Sequence, residues 1–214
     1  MSSKMNNDPK KLLRYTPSER ANHWLTAMCF ILTALTGLSL YHPFFYPLSL
    51  WFGGGVWTRI LHPFFGAAIV LFFGVMYARF RQHNVMNEAD WEWVRRAREL
   101  VNSDDRNMPE AGKFNGGQKL VFWLTAACIL LLLLSGIVIW RVYFSFLFPI
   151  GLIRFAAVIH AISATLLIAL IAFHIYAAVW TKESLSAMVY GRVRRAWAKQ
   201  HHPLWFRRMT GEGK

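Results

Sequence analysis

Four long stretches of this 214-residue chain carry no charged residue: 21–58, 60–78, 120–140 and 155–181. A helix that crosses about 30 Å of hydrocarbon needs roughly 20 mostly apolar residues. Each stretch holds one such helix, at about 24–41, 61–79, 120–140 and 155–180. The chain is therefore predicted to be an all-α membrane protein, with a four-transmembrane-helix domain over 23–181 interrupted by a loop at 80–119. A segment at 1–22 precedes that domain and a basic tail at 182–214 follows it. Composition agrees: 55% of residues are apolar and 16% charged, against about 45–50% and 25% in soluble domains. Disorder, a collagen repeat and a disulfide scaffold are excluded. Cys29 and Cys128 sit inside apolar runs and read as packing residues. The first apolar run continues past Leu38 with no small-residue cleavage site after it, so it reads as a retained helix rather than a signal peptide.

Orientation follows from the basic residues, which concentrate in cytoplasmic loops. Five lie in 4–20, eight in 79–119 and eight in 182–214, which leaves only Arg59, Arg141 and Arg154 for the two remaining connections. Both termini are thus predicted to be cytoplasmic. The outer connections are short and aromatic, with Trp51, Phe52, Trp57, Tyr143, Phe144 and Phe146 placed to suit an interfacial belt. In the 79–119 loop, charged residues from Asp90 to Glu99 surround Trp91, Trp93 and Val94, the pattern of a short amphipathic surface helix ending near Val101. The tail interleaves Arg and Lys with Trp197, Trp205 and Phe206. Directly after a membrane helix that pattern reads as a face for anionic lipid rather than for nucleic acid.

Ionisable groups inside membrane helices are rare and usually functional. His23 enters the first helix from the cytoplasm and His62 enters the second from outside. The last helix carries His160 near its outer end and His174 further in. The depths pair as His23 with His174 and His62 with His160. His160 and His174 are 14 residues apart, about 21 Å of rise and within about 40° of the same direction at roughly 100° per residue. One face of the last helix thus offers an imidazole to each of two stacked sites, and facing helices supply the partners. Two axial nitrogens suit a six-coordinate haem iron. Zinc wants four ligands, and no Asp, Glu or Cys stands at either level. The expectation is two b-type haems. Gly37, 14 residues after His23, together with Gly66, Ala164 and Ala178, would leave room for a flat macrocycle. The alternative for any single histidine is a hydrogen bond to a neighbouring helix. His42, His83, His201 and His202 read as interfacial or surface residues. Arg59, Arg141 and Arg154 suit either haem propionates or lipid headgroups.

Before the third helix stands Gly112-Lys113-Phe114-Asn115-Gly116-Gly117-Gln118-Lys119, on the same side as His23 and His174. Asn-Gly-Gly marks a turn and a helix start. The same residues also offer hydrogen-bond donors, from Asn115, Gln118 and glycine N–H groups, for a quinone carbonyl close to water. Glu19 and Lys119 are proton-delivery candidates by position.

The combination of Arg14-Tyr15-Thr16, Glu19-Arg20, Asn22-His23-Trp24, Ile60-Leu61-His62-Pro63-Phe64, Asn115 with Gly117-Gln118-Lys119, Phe122-Trp123, Trp197-Ala198-Lys199 and His201-His202-Pro203 resembles the gamma subunit of respiratory formate dehydrogenases. The likeness runs from about Arg14 to Arg207. It implies a di-haem cytochrome b of the bacterial inner membrane, with His62 and His160 on the periplasmic-side haem and His23 and His174 on the cytoplasmic-side haem. It further implies a molybdenum-containing alpha subunit that oxidises formate, and an iron–sulfur beta subunit that feeds electrons to the haems. It also implies that menaquinone or ubiquinone is reduced on the cytoplasmic side at Asn115, Gly117, Gln118 and His174, and that the heterotrimer associates further. A cytochrome b serving a hydrogenase or another periplasmic oxidoreductase shares the plan, and a haem-free membrane anchor is the rival from another class.

Overall fold

The computed structural model describes residues 10–101 and 107–212; Lys4, Arg106 and Lys214, counted above with the basic residues, lie outside them. In chain order the elements are β1 (Lys11–Leu13), α1 (Pro17–Tyr41), α2 (Gly55–Phe80), α3 (Glu88–Arg95), α4 (Ala97–Val101), α5 (Gly116–Ile139), α6 (Ile150–Trp180), α7 (Ser184–Tyr190), β2 (Arg192–Arg194), α8 (Arg195–His201) and α9 (Pro203–Thr210). Helices α1, α2, α5 and α6 are long and apolar enough to cross a membrane, as the uncharged stretches predict. A 3-10 helix at Pro43–Phe52 fills the connection from α1 to α2.

All four of these helices begin before their predicted starts. Helix α1 begins at Pro17 rather than near residue 24, because Thr16 and Glu19 form reciprocal bonds: Thr16 N–H donates to Glu19 Oε2 at 2.7 Å and Glu19 N–H to Thr16 Oγ1 at 3.3 Å. Proline at the first helical position costs no backbone bond. Its 25 residues span about 37 Å, so charged Glu19 and Arg20 fit beyond the hydrocarbon. Arg59 and Arg154 are tolerated in α2 and α6 for the same reason. The loop helix predicted to reach Val101 breaks at Arg96, leaving α3 and the short α4.

The chain divides into two compact units. The first, a bundle unit, comprises Ala21–Arg79 and Leu124–Phe173. Its core takes Cys29 from α1, Ile69 and Phe73 from α2, Cys128 and Ile129 from α5 and Leu167 from α6. Around that core the unit is inside-out for a water-soluble bundle. Leu71, Leu130 and Ile162 are more than half exposed, while Thr26, Thr36, Ser39, Thr58, Ser135 and Ser163 are buried. In lipid the apolar face gains nothing by turning inward, so small hydroxyl residues occupy the helix interfaces. Thr26, Thr36 and Ser135 donate back to carbonyls of their own helices.

The other unit collects the stretch ending at Arg20, Phe80–Trp123 and the stretch from His174 onward. Here an antiparallel ribbon pairs Lys11 with Arg194, Leu12 with Val193 and Leu13 with Arg192, an addition to the expected all-helical plan. Arg14 and Tyr15 N–H groups extend the ribbon onto the Gly191 carbonyl at 2.8 and 3.2 Å. Gly191 has φ +80°, and an added Cβ would stand 2.6 Å from the Tyr15 carbonyl oxygen, so only glycine fits. Arg14 is the buried centre of this unit. Its guanidinium lies 5.3 and 5.1 Å from the ring centroids of Trp197 and Trp205 and donates to the Lys113 carbonyl at 2.7 Å.

Two expectations for the tail are thereby corrected. Trp197, Trp205 and Phe206 are 6, 7 and 4% exposed, so these aromatics do not lie on lipid; Trp197 and Trp205 enclose Arg14, and Phe206 lies under Arg195. His202 is 2% exposed and is no surface residue. Its Nδ1 donates to the Gly112 carbonyl at 2.8 Å and its Nε2 accepts from Arg14 at 3.1 Å. A cationic centre with donors to spare draws in the aromatic faces and the neutral imidazole that a charge count alone assigns to the surface. His42, His83 and His201 are exposed, as expected.

Candidate functional site

Three of the four predicted ligand histidines, His23, His62 and His160, lie in the bundle unit, and the structure brings the last two together. His62, in the second turn of α2, and His160, on α6, have ring centroids 6.3 Å apart with the planes at 72°. Both are half-buried. Each ring is held from a third helix by a hydroxyl. Thr36 Oγ1 on α1 lies 3.0 Å from His62 Nδ1, and Ser135 Oγ on α5 lies 2.9 Å from His160 Nδ1. Among the described residues neither Nε2 has a hydrogen-bond partner.

The residue after each hydroxyl is a glycine that lies against the same ring. A Cβ on Gly37 would stand 3.0 Å from His62 Cε1, and one on Gly136 would stand 3.4 Å from His160 Cε1. Gly37 therefore makes room for the imidazole itself, a narrower task than the macrocycle clearance expected of it. Gly66 has nothing within 4 Å of where a Cβ would stand. Thr36, Ser135 and Gly136 were missed at the level of sequence. The signal was present as two matching segments, Leu35-Thr36-Gly37-Leu38 and Leu134-Ser135-Gly136-Ile137, on different helices.

The spacing can be tested against metal chemistry. A nitrogen of a five-membered ring lies about 1.15 Å from its centroid for bonds of about 1.35 Å, and a metal–imidazole bond is about 2.05 Å. Two imidazoles on opposite sides of one metal thus have centroids about 6.4 Å apart. Among the described residues no group of three or more His, Cys, Asp and Glu could hold a bare ion. The pair fits a metal whose remaining positions are filled by a macrocycle.

The remaining candidates sit elsewhere. His23 is on α1 in the bundle unit, half-buried, with its ring edge-on to Trp24 at 5.4 Å. His174 is on α6 in the other unit and exposed. Asn115, Gly117 and Gln118 share that unit and open α5. Gln118 N–H donates to Asn115 Oδ1 at 2.9 Å and Asn115 N–H to Gln118 Oε1 at 3.1 Å, a capping box. The helix-start reading of this segment is thus correct. Both side-chain oxygens are spent on backbone, which leaves the two NH2 groups as donors. Helix α3 seats against this corner: a Cβ on Gly116 would collide with the Asp90 carbonyl, and one on Gly117 would lie 2.6 Å from Trp93 Cζ3. Lys119 closes the contact through a buried ion pair to Asp90 at 2.6 Å and a bond to the Val85 carbonyl at 3.0 Å.

Charges outside the spanning helices are tuned by burial. It lowers the Lys113 ammonium, with the Glu19 carboxylate 3.8 Å away opposing the shift and Arg14 adding to it. Burial first, and then Arg14, pull His202 down to about 3, against the Gly112 bond that raises it.

A sequence profile of the prokaryotic cytochrome b561 family matches residues 14–191. The chain belongs to that family. It is 45% identical over 205 residues to the formate dehydrogenase cytochrome b556(fdo) subunit of Escherichia coli K12, covering 95% of this chain and 96% of that one. It is 40% identical over 198 residues to the nitrate-inducible formate dehydrogenase cytochrome b556(Fdn) subunit of the same strain, covering 92% and 91%. With the formate dehydrogenase cytochrome b556 subunit of Haemophilus influenzae it shares 36% identity over 205 residues, covering 95% and 85%. Membership agrees with the resemblance read from the residues. The chain is a multi-pass membrane cytochrome b, and a cytochrome b carries haem b.

Proposed function

We propose that this chain is the haem b-carrying membrane subunit of a formate dehydrogenase, passing electrons from an iron–sulfur beta subunit across the bacterial inner membrane to menaquinone or ubiquinone. The observation that carries the reading is the His62–His160 pair, 6.3 Å between ring centroids with both Nδ1 atoms tied to hydroxyls. Each ring keeps Nε2 for iron, and bound haem b supplies one-electron transfer there. His23 and His174 hold the second haem, a proposal that rests on their depth in the sequence and on the 14-residue spacing from His160. The distribution of Lys and Arg supports cytoplasmic termini, which puts the outer pair on the periplasmic side, toward the formate-oxidising alpha subunit.

At the cytoplasmic end Asn115 and Gln118 donate from their NH2 groups to a quinone carbonyl. The side chain that Gly117 lacks leaves its surroundings to Trp93, and His174 completes the site. Protons for the quinone come from the cytoplasm, so reduction moves charge across the membrane, worth about 2.3 kcal/mol per unit charge per 100 mV. The exposed cations Lys199 and Arg208 suit anionic lipid. The named relatives favour formate dehydrogenase over a hydrogenase.

Purification of the tagged chain from its native membrane tests this. The expected result is co-purification with molybdenum and iron–sulfur subunits, a b-type band in the reduced-minus-oxidised spectrum, and formate-dependent quinol formation. Gln118→Ala is expected to slow quinol formation about tenfold, the worth of one hydrogen bond of ~1.4 kcal/mol, with formate oxidation by an artificial dye unchanged. A chain without b-type absorbance in the intact complex removes the haem reading, and co-purification with a hydrogenase replaces the substrate.

A further inference from the structure

The hydrogen bonds around the outer pair determine which nitrogen of each ring carries the proton. Thr36 Oγ1 lies 2.8 Å from the Leu32 carbonyl and 3.0 Å from that of Thr33. Ser135 Oγ lies 2.6 Å from the Leu131 carbonyl. A hydroxyl has one proton to give, and a carbonyl oxygen can only accept. With each proton spent on the hydroxyl's own helix, the bond to the histidine must run the other way: Nδ1–H donates and the hydroxyl oxygen accepts. Nε2 is then the lone-pair nitrogen of both imidazoles.

Two unrelated segments have arrived at this device. Thr36 is fully buried and Ser135 is 5% exposed, each is followed by the glycine that lets the ring approach, and each stands on a helix that supplies neither histidine. Hydroxyl groups bonding back to their own helix are common; ones that do so while also accepting from a neighbouring imidazole hold that ring's tautomer.

We propose that Thr36 and Ser135 are positioning residues for iron ligation. They lock His62 and His160 as Nδ1–H tautomers, present Nε2 as the ligating atom, and draw on the N–H to make each ring a stronger donor. A stronger donor favours the ferric state, so the two hydroxyls hold the outer haem at a lower reduction potential than the histidines alone would set. This rests on the reading of His62 and His160 as ligands.

The experiment uses the purified whole complex, compared with Thr36→Val, Thr36→Ser, Ser135→Ala and His62→Ala variants by haem content, potentiometric titration and electron paramagnetic resonance of the ferric haems. His62→Ala identifies the outer haem as the component it removes. Thr36→Val and Ser135→Ala are expected to keep full haem content while moving that component's potential positive and changing its ferric signal; Thr36→Ser restores both. Loss of the component in His62→Ala, with potential and signal unmoved in Thr36→Val and Ser135→Ala, overturns the inference and leaves the ligand assignment standing. Full haem content in His62→Ala overturns the ligand assignment, and the inference with it. Should Thr36→Val fail to assemble, Ser135→Ala, which removes one atom, decides alone.

Discussion

His62, His160 and His202 are each anchored through Nδ1 to an oxygen of a neighbouring segment, and they differ in what becomes of Nε2. At His202 the Nδ1–H goes to the Gly112 carbonyl and Nε2 is taken by Arg14. At His62 and His160 the Nδ1–H goes to a hydroxyl and Nε2 has no hydrogen-bond partner among the described residues. The first is complete as protein. The other two are satisfied on one side only and face each other across 6.3 Å. Burial and tautomer are shared, so neither marks a ligand; the second nitrogen does. An arginine beside it makes a structural histidine, and a second imidazole 6.3 Å away is what supports the proposed haem site.

The largest expected effect tests that distinction directly. His160→Ala should abolish the outer haem's share of the reduced-minus-oxidised spectrum, whereas His202→Ala should leave the spectrum at wild-type intensity. Equal haem loss in both would erase the contrast. Next in size is the cation on which His202 depends. Arg14→Met leaves the Lys113 carbonyl and His202 Nε2 without this donor, and should cost roughly 1–3 kcal/mol of local stability. Accelerated limited proteolysis of the tail reads that loss, with haem content unchanged.

Acid should loosen the same region. His202 titrates at about 3 when folded against the ordinary 6.5, so unfolding takes up a proton between those values. Its contribution is full above pH 6.5 and is lost as the pH falls toward 3. Protection of residues 195–210 from hydrogen exchange, corrected for the intrinsic rate at each pH, should fall from pH 7 to pH 4 in wild type and change less in His202→Phe.

The smallest effects separate the two glycines. Gly37→Ala should lower the thermal midpoint of haem retention by the cost of overpacking, about 1–3 kcal/mol. Gly136→Ala should cost less, because its Cβ would find 3.4 Å where that of Gly37 finds 3.0 Å. A reversed order would mean that the clearance seen around each ring does not govern its seating.

Much of the bundle was legible because lipid imposes a one-dimensional rule. Uncharged length alone located α1, α2, α5 and α6, and position near the outer end of each helix paired His62 with His160. The start of α1 was not legible from hydropathy, since the Thr16–Glu19 cap carries the helix beyond its apolar run, where no apolar count can follow it. The tail was misread for a related reason. Alternating Arg and Trp has the same pattern whether the rings meet lipid or enclose a guanidinium, and the choice depends on Arg14, more than 180 residues away along the chain.

The sequence by itself determined four helices long and apolar enough to cross a membrane, and the family. Those depend on local composition and helical rise, which need no knowledge of neighbours. Only the tertiary structure decided which hydroxyl meets which ring, that Gly37 serves the imidazole, and that His202 is sealed beneath Arg14. These are contacts between distant segments, and their directionality, one proton per hydroxyl and one lone pair per neutral imidazole, becomes a constraint only once the partners are face to face.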